Sequence, residues 1–268
     1  MKGAIFSETL RRSWKQILSW GLGMALLGAY LTAFIQDVDV LEQYARFAET
    51  LPPALLQMFG AESAAALATP EGVLSFGFFG YGLIIFAFFA VLAGLNVTAN
   101  EEDEGMMDVV LSQPVPRWRV VLEKFAVYAL IVVIAAILAF VGVWLGKQGS
   151  ALELDMGRVF EGTINMIPGT LLMIGLTMFV AAAVKRKSTA TAITAVVIIT
   201  SYFIDFLGRA ASDTIVASLR FISFFNYYDS EGVMVAGLNP GNIALLLGIT
   251  SLLVAGTVWA FERRDIGV

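Results

Sequence analysis

The 268-residue chain contains no cysteine and no histidine. Disulfides, thiolate nucleophiles, histidine-ligated metals and histidine general bases are therefore excluded. Charge is also scarce, at 15% of residues, where a soluble domain carries about 25%. A net charge of −5 and a pI near 4.8 argue against a nucleic-acid partner. What fills the chain instead is apolar: 58% of residues are hydrophobic and the mean hydropathy is +0.80. A water-soluble core of this length cannot hide that excess, so lipid must be part of the solvent.

A membrane-spanning helix needs about 20 apolar residues. Six stretches qualify: 17–35, 73–97, 125–145, 164–184, 189–207 and 242–260. The fourth and fifth are separated only by Lys185, Arg186, Lys187 and Ser188, which predicts a tight helical hairpin. The first stretch is long enough to span and no small-residue cleavage site follows it, so no cleavable signal is expected. With both termini on one side, that side carries 12 of the 17 Lys and Arg; only Arg46, Lys147, Arg158, Arg209 and Arg220 fall on the other. The positive-inside rule then places both termini in the cytoplasm. Trp14, Trp20, Trp118, Trp144 and Trp259 all fall near expected span ends, where indole rings prefer the interface. There is no internal repeat or low-complexity linker, and one transmembrane domain over 1–268 is expected.

The segments between spans carry patterns of their own. Phe6, Leu10 and Trp14 form an apolar stripe with Glu8, Arg11, Arg12 and Lys15 off it, which predicts a helix lying in the interface. Leu41, Tyr44, Ala48 and Leu51 predict a second short helix, interrupted at Pro52-Pro53. Ile215, Leu219 and Ile222 predict a third in the last outer segment, which ends at Asn239-Pro240-Gly241. Between the second and third spans, Asn100 can cap a helix whose first turn holds Glu101 to Glu104, where the helix dipole favours carboxylates. Met107, Val110 and Leu111 give it a short apolar edge, and Pro114 and Pro116 end it. Such a helix is too short to fold alone and must rest on membrane or on a partner.

The run EEDEGMMDVVLSQPVPRWRVVLEK resembles the signature of ABC-2-type transporter permeases: an acidic pair, a glycine, a short helix, a proline and an arginine before a lysine-ended entry into the third span. The C-terminal Phe261-Glu262-Arg263-Arg264-Asp265 is similar to that family's ending. Met106-Met107 departs from the family's more usual small polar residue and leucine. The resemblance implies an all-α membrane protein of six transmembrane helices, with an N-terminal interfacial elbow helix at Phe6, Leu10 and Trp14 and a cytoplasmic coupling helix within 98–117. It implies that Glu101, Glu102, Glu104, Gly105, Asp108, Leu111, Pro114 and Arg117 dock in a separate ABC ATPase subunit. That partner would bind ATP and Mg, and this chain would bind no cofactor and catalyse no reaction. A second permease copy, an exporting direction and residence in a prokaryotic plasma membrane are implied in the same way.

Several features point elsewhere and are weaker. Gly142 to Lys147 approaches a phosphate-binding loop but is one residue short and ends a span. Asp205 is the one acid well inside a span, yet Arg209 lies one turn later on the same face, which predicts an ion pair rather than a substrate or proton site. Phe76, Phe78, Phe79, Phe86, Phe88 and Phe89 crowd the second span, chiefly as packing. Phe79, Phe86, Thr194 and Ser201 are the residues that could border a translocation path. A secondary carrier would need midplane polar groups or matching broken helices. An intramembrane hydrolase of the paired-glutamate kind would need histidines that are absent.

Overall fold

The computed structural model describes residues 3–35, 38–52, 55–56, 69–99, 116–149, 153–184, 186–211 and 214–263. Six helices are long and apolar enough to cross a membrane, and there is no strand among the described residues. We label them α1 (Ala4–Phe34), α3 (Pro70–Val97), α4 (Arg117–Lys147), α5 (Met156–Ala183), α6 (Lys187–Ala210) and α10 (Pro240–Arg263). Shorter helices are α2 (Val38–Glu49), α7 (Ile215–Leu219), α8 (Phe224–Tyr228) and α9 (Ser230–Ala236). Each expected span lies within one of the six, give or take a residue. The helices run further because hydropathy marks the lipid-facing length, whereas the helical hydrogen-bond ladder continues until a cap or proline stops it.

α5 is the centre of the bundle, with α3 and α10 packed along it and α4 and α6 beside it. The contacts alternate small and large residues. A Cβ at Gly162 would meet the Phe79 ring at 2.9 Å, one at Gly82 would meet Met166 at 2.7 Å, and one at Gly169 would meet Leu83 at 3.1 Å. Pairs 79/162, 82/166 and 83/169 rise together, so α3 and α5 run in the same direction. Phe78, Phe79, Phe86 and Phe89 of α3 are fully buried, Phe79 against α5 and Phe89 against Trp20 and Tyr128.

α1 stands at the edge, and its chief neighbour is α4. The near-miss phosphate loop finds its physical meaning here. Gly142 and Gly146 are four residues apart on one face of α4, and α1 lies directly on them. A Cβ on Gly142 would overlap the Ala25 backbone, and one on Gly146 would come within 2.7 Å of the Ala29 carbonyl oxygen. Gly28 meets Ala139 and Val143 in the same seam, whereas Gly23 has open space around it. The opposite stripe of α1, Leu18, Leu22, Leu26 and Tyr30, is exposed and apolar, as a lipid-facing surface should be.

The expected elbow helix is not a separate element. α1 runs unbroken from Ala4 to Phe34, and the Phe6–Leu10–Trp14 stripe is its first three turns. No proline or glycine interrupts residues 4–20, and Glu8 pairs with both Arg11 and Arg12, so nothing ends the ladder before the span begins. Phe6 and Leu10 pack against the core. At 31 residues each, α1 and α4 are about 46 Å long. Both therefore stand out of a hydrocarbon layer of about 30 Å.

One end of the bundle, hereafter the terminal end, gathers the start of α1, the end of α3, the start of α4 and the end of α10. The far end carries α7, α8 and α9. The expected hairpin is present: α5 ends at Ala183, Val184 and Arg186 are extended, and α6 starts at Lys187. Trp118, Trp144 and Trp259 are exposed near helix ends, Trp14 is exposed three turns into α1, and Arg263 covers the Trp259 ring at 4.5 Å. Trp20 differs, packing edge-on against Phe89 inside the bundle.

α2 matches the second expected short helix. Leu41 and Ala48 face inward, and Glu42 and Arg46 pair on the exposed side. Ile215, Leu219 and Ile222 lie in α7 and the 3-10 turn that follows it, but their side chains are exposed. The inward-facing part of that segment is α8, through Phe225 and Tyr228.

Candidate functional site

Two clusters of polar groups interrupt the apolar bundle, one at each end. At the terminal end they converge on the first two turns of α4. Lys124 is only 3% exposed, and its ammonium donates to the carbonyls of Val97 (3.2 Å) and Asn96 (3.4 Å) at the end of α3. The last carbonyls of a helix have no partner within it and carry the negative end of its dipole, so a cation there is well placed. Glu123 accepts from the Phe6 backbone amide at the start of α1 (3.0 Å) and from Arg119 (2.6 Å). Arg117 donates to the carbonyl of Phe261 near the end of α10 (3.3 Å). Eight consecutive residues thus tie the ends of α1, α3 and α10 to α4.

Arg117 is the one expected docking residue among those described. Glu101, Glu102, Glu104, Gly105, Asp108, Leu111 and Pro114 lie outside the described residues. Sequence reasoning marked Arg117 by its place after the prolines. Glu123 and Lys124 end the quoted run as part of the family pattern, but no role was read for either from the sequence.

At the far end the centre is Asp205, 6% exposed in α6. Its carboxylate accepts from Arg209 at 2.9 Å, the expected i, i+4 pair, and from Arg220 at 3.0 Å. Arg220 reaches it because Gly208 leaves room: a Cβ there would overlap the arginine's aliphatic stem. Arg209 also lies 3.8 Å from Asp229 and 3.8 Å from Glu231. Asp229 holds a left-handed backbone at φ 36°, which aspartate tolerates, and joins α8 to α9 while accepting from the Gly232 amide.

α8 is fixed by hydroxyls and one amide. Ser223 donates to the Ser201 carbonyl at 2.7 Å, and the Phe224 amide donates to the Ser201 hydroxyl at 3.2 Å. Asn165 of α5 donates to the Tyr228 carbonyl. The Tyr228 hydroxyl donates to the Phe79 carbonyl at 2.8 Å. Phe79 belongs to Ser75–Gly80, a π-helical turn within α3. Such turns disturb the regular ladder and are frequent at functional sites. Burial drives the Tyr228 hydroxyl far above its usual pKa, so it stays protonated and remains a donor. Tyr228→Phe should lower stability by about 1–3 kcal/mol by orphaning a buried carbonyl; thermal unfolding in detergent measures it, and an unchanged midpoint would show that the bond contributes nothing.

Between the π turn, α6 and α8 lies a cavity of about 70 Å³. Phe76 and Tyr81, Tyr202 and Phe206, Phe225 and Tyr228 form its walls. Asp205, Arg209 and Glu231 are its charged lining.

The description "multidrug efflux system permease Rv1217c, C-terminal domain" belongs to a family whose model matches residues 6–262. The chain belongs to that family. No curated protein matches it. Membership agrees with the expected ABC-2-type permease, with the all-α six-helix architecture and with a multi-pass membrane protein.

In this permease none of the four residues that could border a path lines the far-end cleft. Phe79 and Phe86 are fully buried, and the Phe79 ring lies against Gly162 of α5. Ser201 anchors α8. Thr194 is fully buried, with no hydrogen-bond partner for its hydroxyl among the described residues.

Proposed function

We propose that the chain is the permease subunit of an ATP-driven ABC transporter, exporting drug-like molecules. Its engine is a separate ATPase subunit carrying ATP and Mg, gripped through the cytoplasmic segment 98–117. Residues 1–268 act as one transmembrane unit, paired with a second copy in a prokaryotic plasma membrane, with both termini in the cytoplasm. ATP chemistry belongs to the partner, and the contribution of this chain is movement of its spans.

The observation that carries this reading is the knot at the start of α4. A push delivered to residues 98–116 arrives at Arg117, and within two turns it meets bonds to α10, α1 and α3. A loop that merely joined two spans would need no such ties. The efflux wording of the family description and the charge asymmetry of the chain support the same orientation.

The test is co-purification with a Walker-motif ATPase, followed by reconstitution in liposomes. Glu102→Ala or Lys124→Met should leave ATP turnover within about twofold while export falls about tenfold, a typical size for coupling between sites. Lys124→Arg should restore most of the export, because a guanidinium can still cap the α3 carbonyls. Absence of any bound ATPase, or export unchanged in both variants, would overturn the proposal.

A further inference from the structure

Two neighbouring helices of the core are interrupted at the same height. In α5, Pro168 lies inside a 28-residue helix. Proline has no amide proton, so the carbonyl of Ile164 loses its partner in the ladder, and the ring crowds that carbonyl. In α3 the π turn Ser75–Gly80 interrupts the regular ladder. The two helices run in the same direction, and their contacts give the register: Phe79 meets Gly162, Gly82 meets Met166 and Leu83 meets Gly169. The Ile164 carbonyl therefore stands opposite residues 79–82, at the end of the π turn. A break in one helix beside an unbroken neighbour is splinted by it. Two breaks side by side are not.

On the far side of the breaks the parts are tied together. The Asp155 amide at the start of α5 donates to Glu71 in the first turn of α3 at 3.2 Å. Asn165 donates to the Tyr228 carbonyl, and the Tyr228 hydroxyl donates to the Phe79 carbonyl. α9 packs on α5 and on the start of α3, and a Cβ at Gly237, just past its end, would overlap the Arg158 guanidinium. These links join residues 70–80, residues 156–165, α8 and α9 into one head. α6 is bound to it through Ser201 with Ser223 and through Asp205 with Arg220, and its span is mostly unburied, so it can follow. On the terminal side, Leu83 lies on Gly169 and Thr177 on Gly94. These are van der Waals contacts that a tilt can slide over.

We propose that Pro168 and the π turn of α3 form one hinge, on which the head carrying α8 and α9 tilts as a unit against the rest of the bundle. The hinge does not depend on an ATPase; only its use, opening the far end to release an exported molecule, rests on the permease reading.

The chain has no cysteine, so introduced thiols at exposed sites carry spin labels without interference. Double electron–electron resonance on the whole chain in lipid nanodiscs compares three pairs. Leu122→Cys with Val235→Cys and Leu122→Cys with Phe160→Cys both cross the hinge, to α9 and to the start of α5; Leu122→Cys with Leu252→Cys stays within the rest of the bundle, and all four sites are exposed. Both crossing pairs should give distance distributions at least about twofold wider than the third. Pro168→Ala restores the missing amide and should narrow both to about the width of the third. Equal widths for all three pairs overturn the proposal, as do widths that Pro168→Ala leaves unchanged. Widening confined to the Val235 pair would mean that α9 alone is loose, and overturns it too. Should Pro168→Ala fail to fold, the three pairs in the unaltered protein decide alone. In liposomes with the ATPase, Pro168→Ala should cut export about tenfold while the ATPase stays bound, and unchanged export would overturn the use of the hinge in release. Failure of the distance results leaves the permease reading intact, and absence of a bound ATPase leaves the hinge intact.

Discussion

Asp205→Ala will lower stability by about 3 kcal/mol, at the lower end of what removing one partner of a buried ion pair costs. The carboxylate accepts from two guanidiniums at once, and its removal strands both. Arg209 retains Asp229 and Glu231 at 3.8 Å, and that residual attraction keeps the loss from reaching the top of the range near 5 kcal/mol. For a chain of this size the expected fall in Tm is about 6–12 °C, read by thermal unfolding in detergent. Asp205→Ala combined with Arg220→Ala should recover part of the loss, since one stranded charge is then gone. A double variant as unstable as the sum of the two singles would show that Asp205 and Arg220 do not interact.

Gly142→Leu will separate α1 from α4. The added carbons meet the backbone of Ala25, which cannot rotate away as a flexible side chain could. Overpacking costs typically 1–3 kcal/mol and more where backbone must move, so a loss of about 3 kcal/mol or above is expected. Gly23→Leu supplies the contrast. It adds the same side chain to the neighbouring helix at a point with open space, and should change stability by no more than about 0.5 kcal/mol. Unfolding midpoints of the two variants side by side test the seam: equal shifts would mean that α1 does not pack on α4 through Gly142.

The bundle was legible in the sequence because its spans are written in hydropathy, a property each residue carries regardless of its neighbours. The tight turn between α5 and α6 was legible for the same reason, since Lys185 to Lys187 cannot be left in lipid. The i, i+4 pair of Asp205 and Arg209 was readable because helical geometry alone brings those positions together. Arg220 was not, because it arrives from a separate segment through the space that Gly208 leaves. Sequence spacing carries no information about such an approach.

The elbow misled for a physical reason. An amphipathic stripe with charges beside it is the mark of any helix with one wet side, whether it lies in an interface or stands upright against a neighbour. Phe6 and Leu10 find that neighbour in the bundle core, and the Phe6 amide finds Glu123 on α4. Gly142-x-x-x-Gly146 was set aside as a failed nucleotide motif, although its spacing fits one face of a helix and a second helix lies on it. The roles of Lys124 and Tyr228 were not legible because each acts on a main-chain carbonyl, and no side-chain pattern records which carbonyls a fold leaves without partners.

Because the natural chain has no cysteine, one introduced thiol is a unique label. Glu104→Cys and Asn239→Cys, probed separately in intact cells with a membrane-impermeant maleimide, place the two ends of the bundle relative to the membrane. Cys at 239 should label at once, and Cys at 104 only after the cells are opened. Labelling of 104 in intact cells would put the segment that an ATPase must grip on the wrong side, and would contradict the account at its centre.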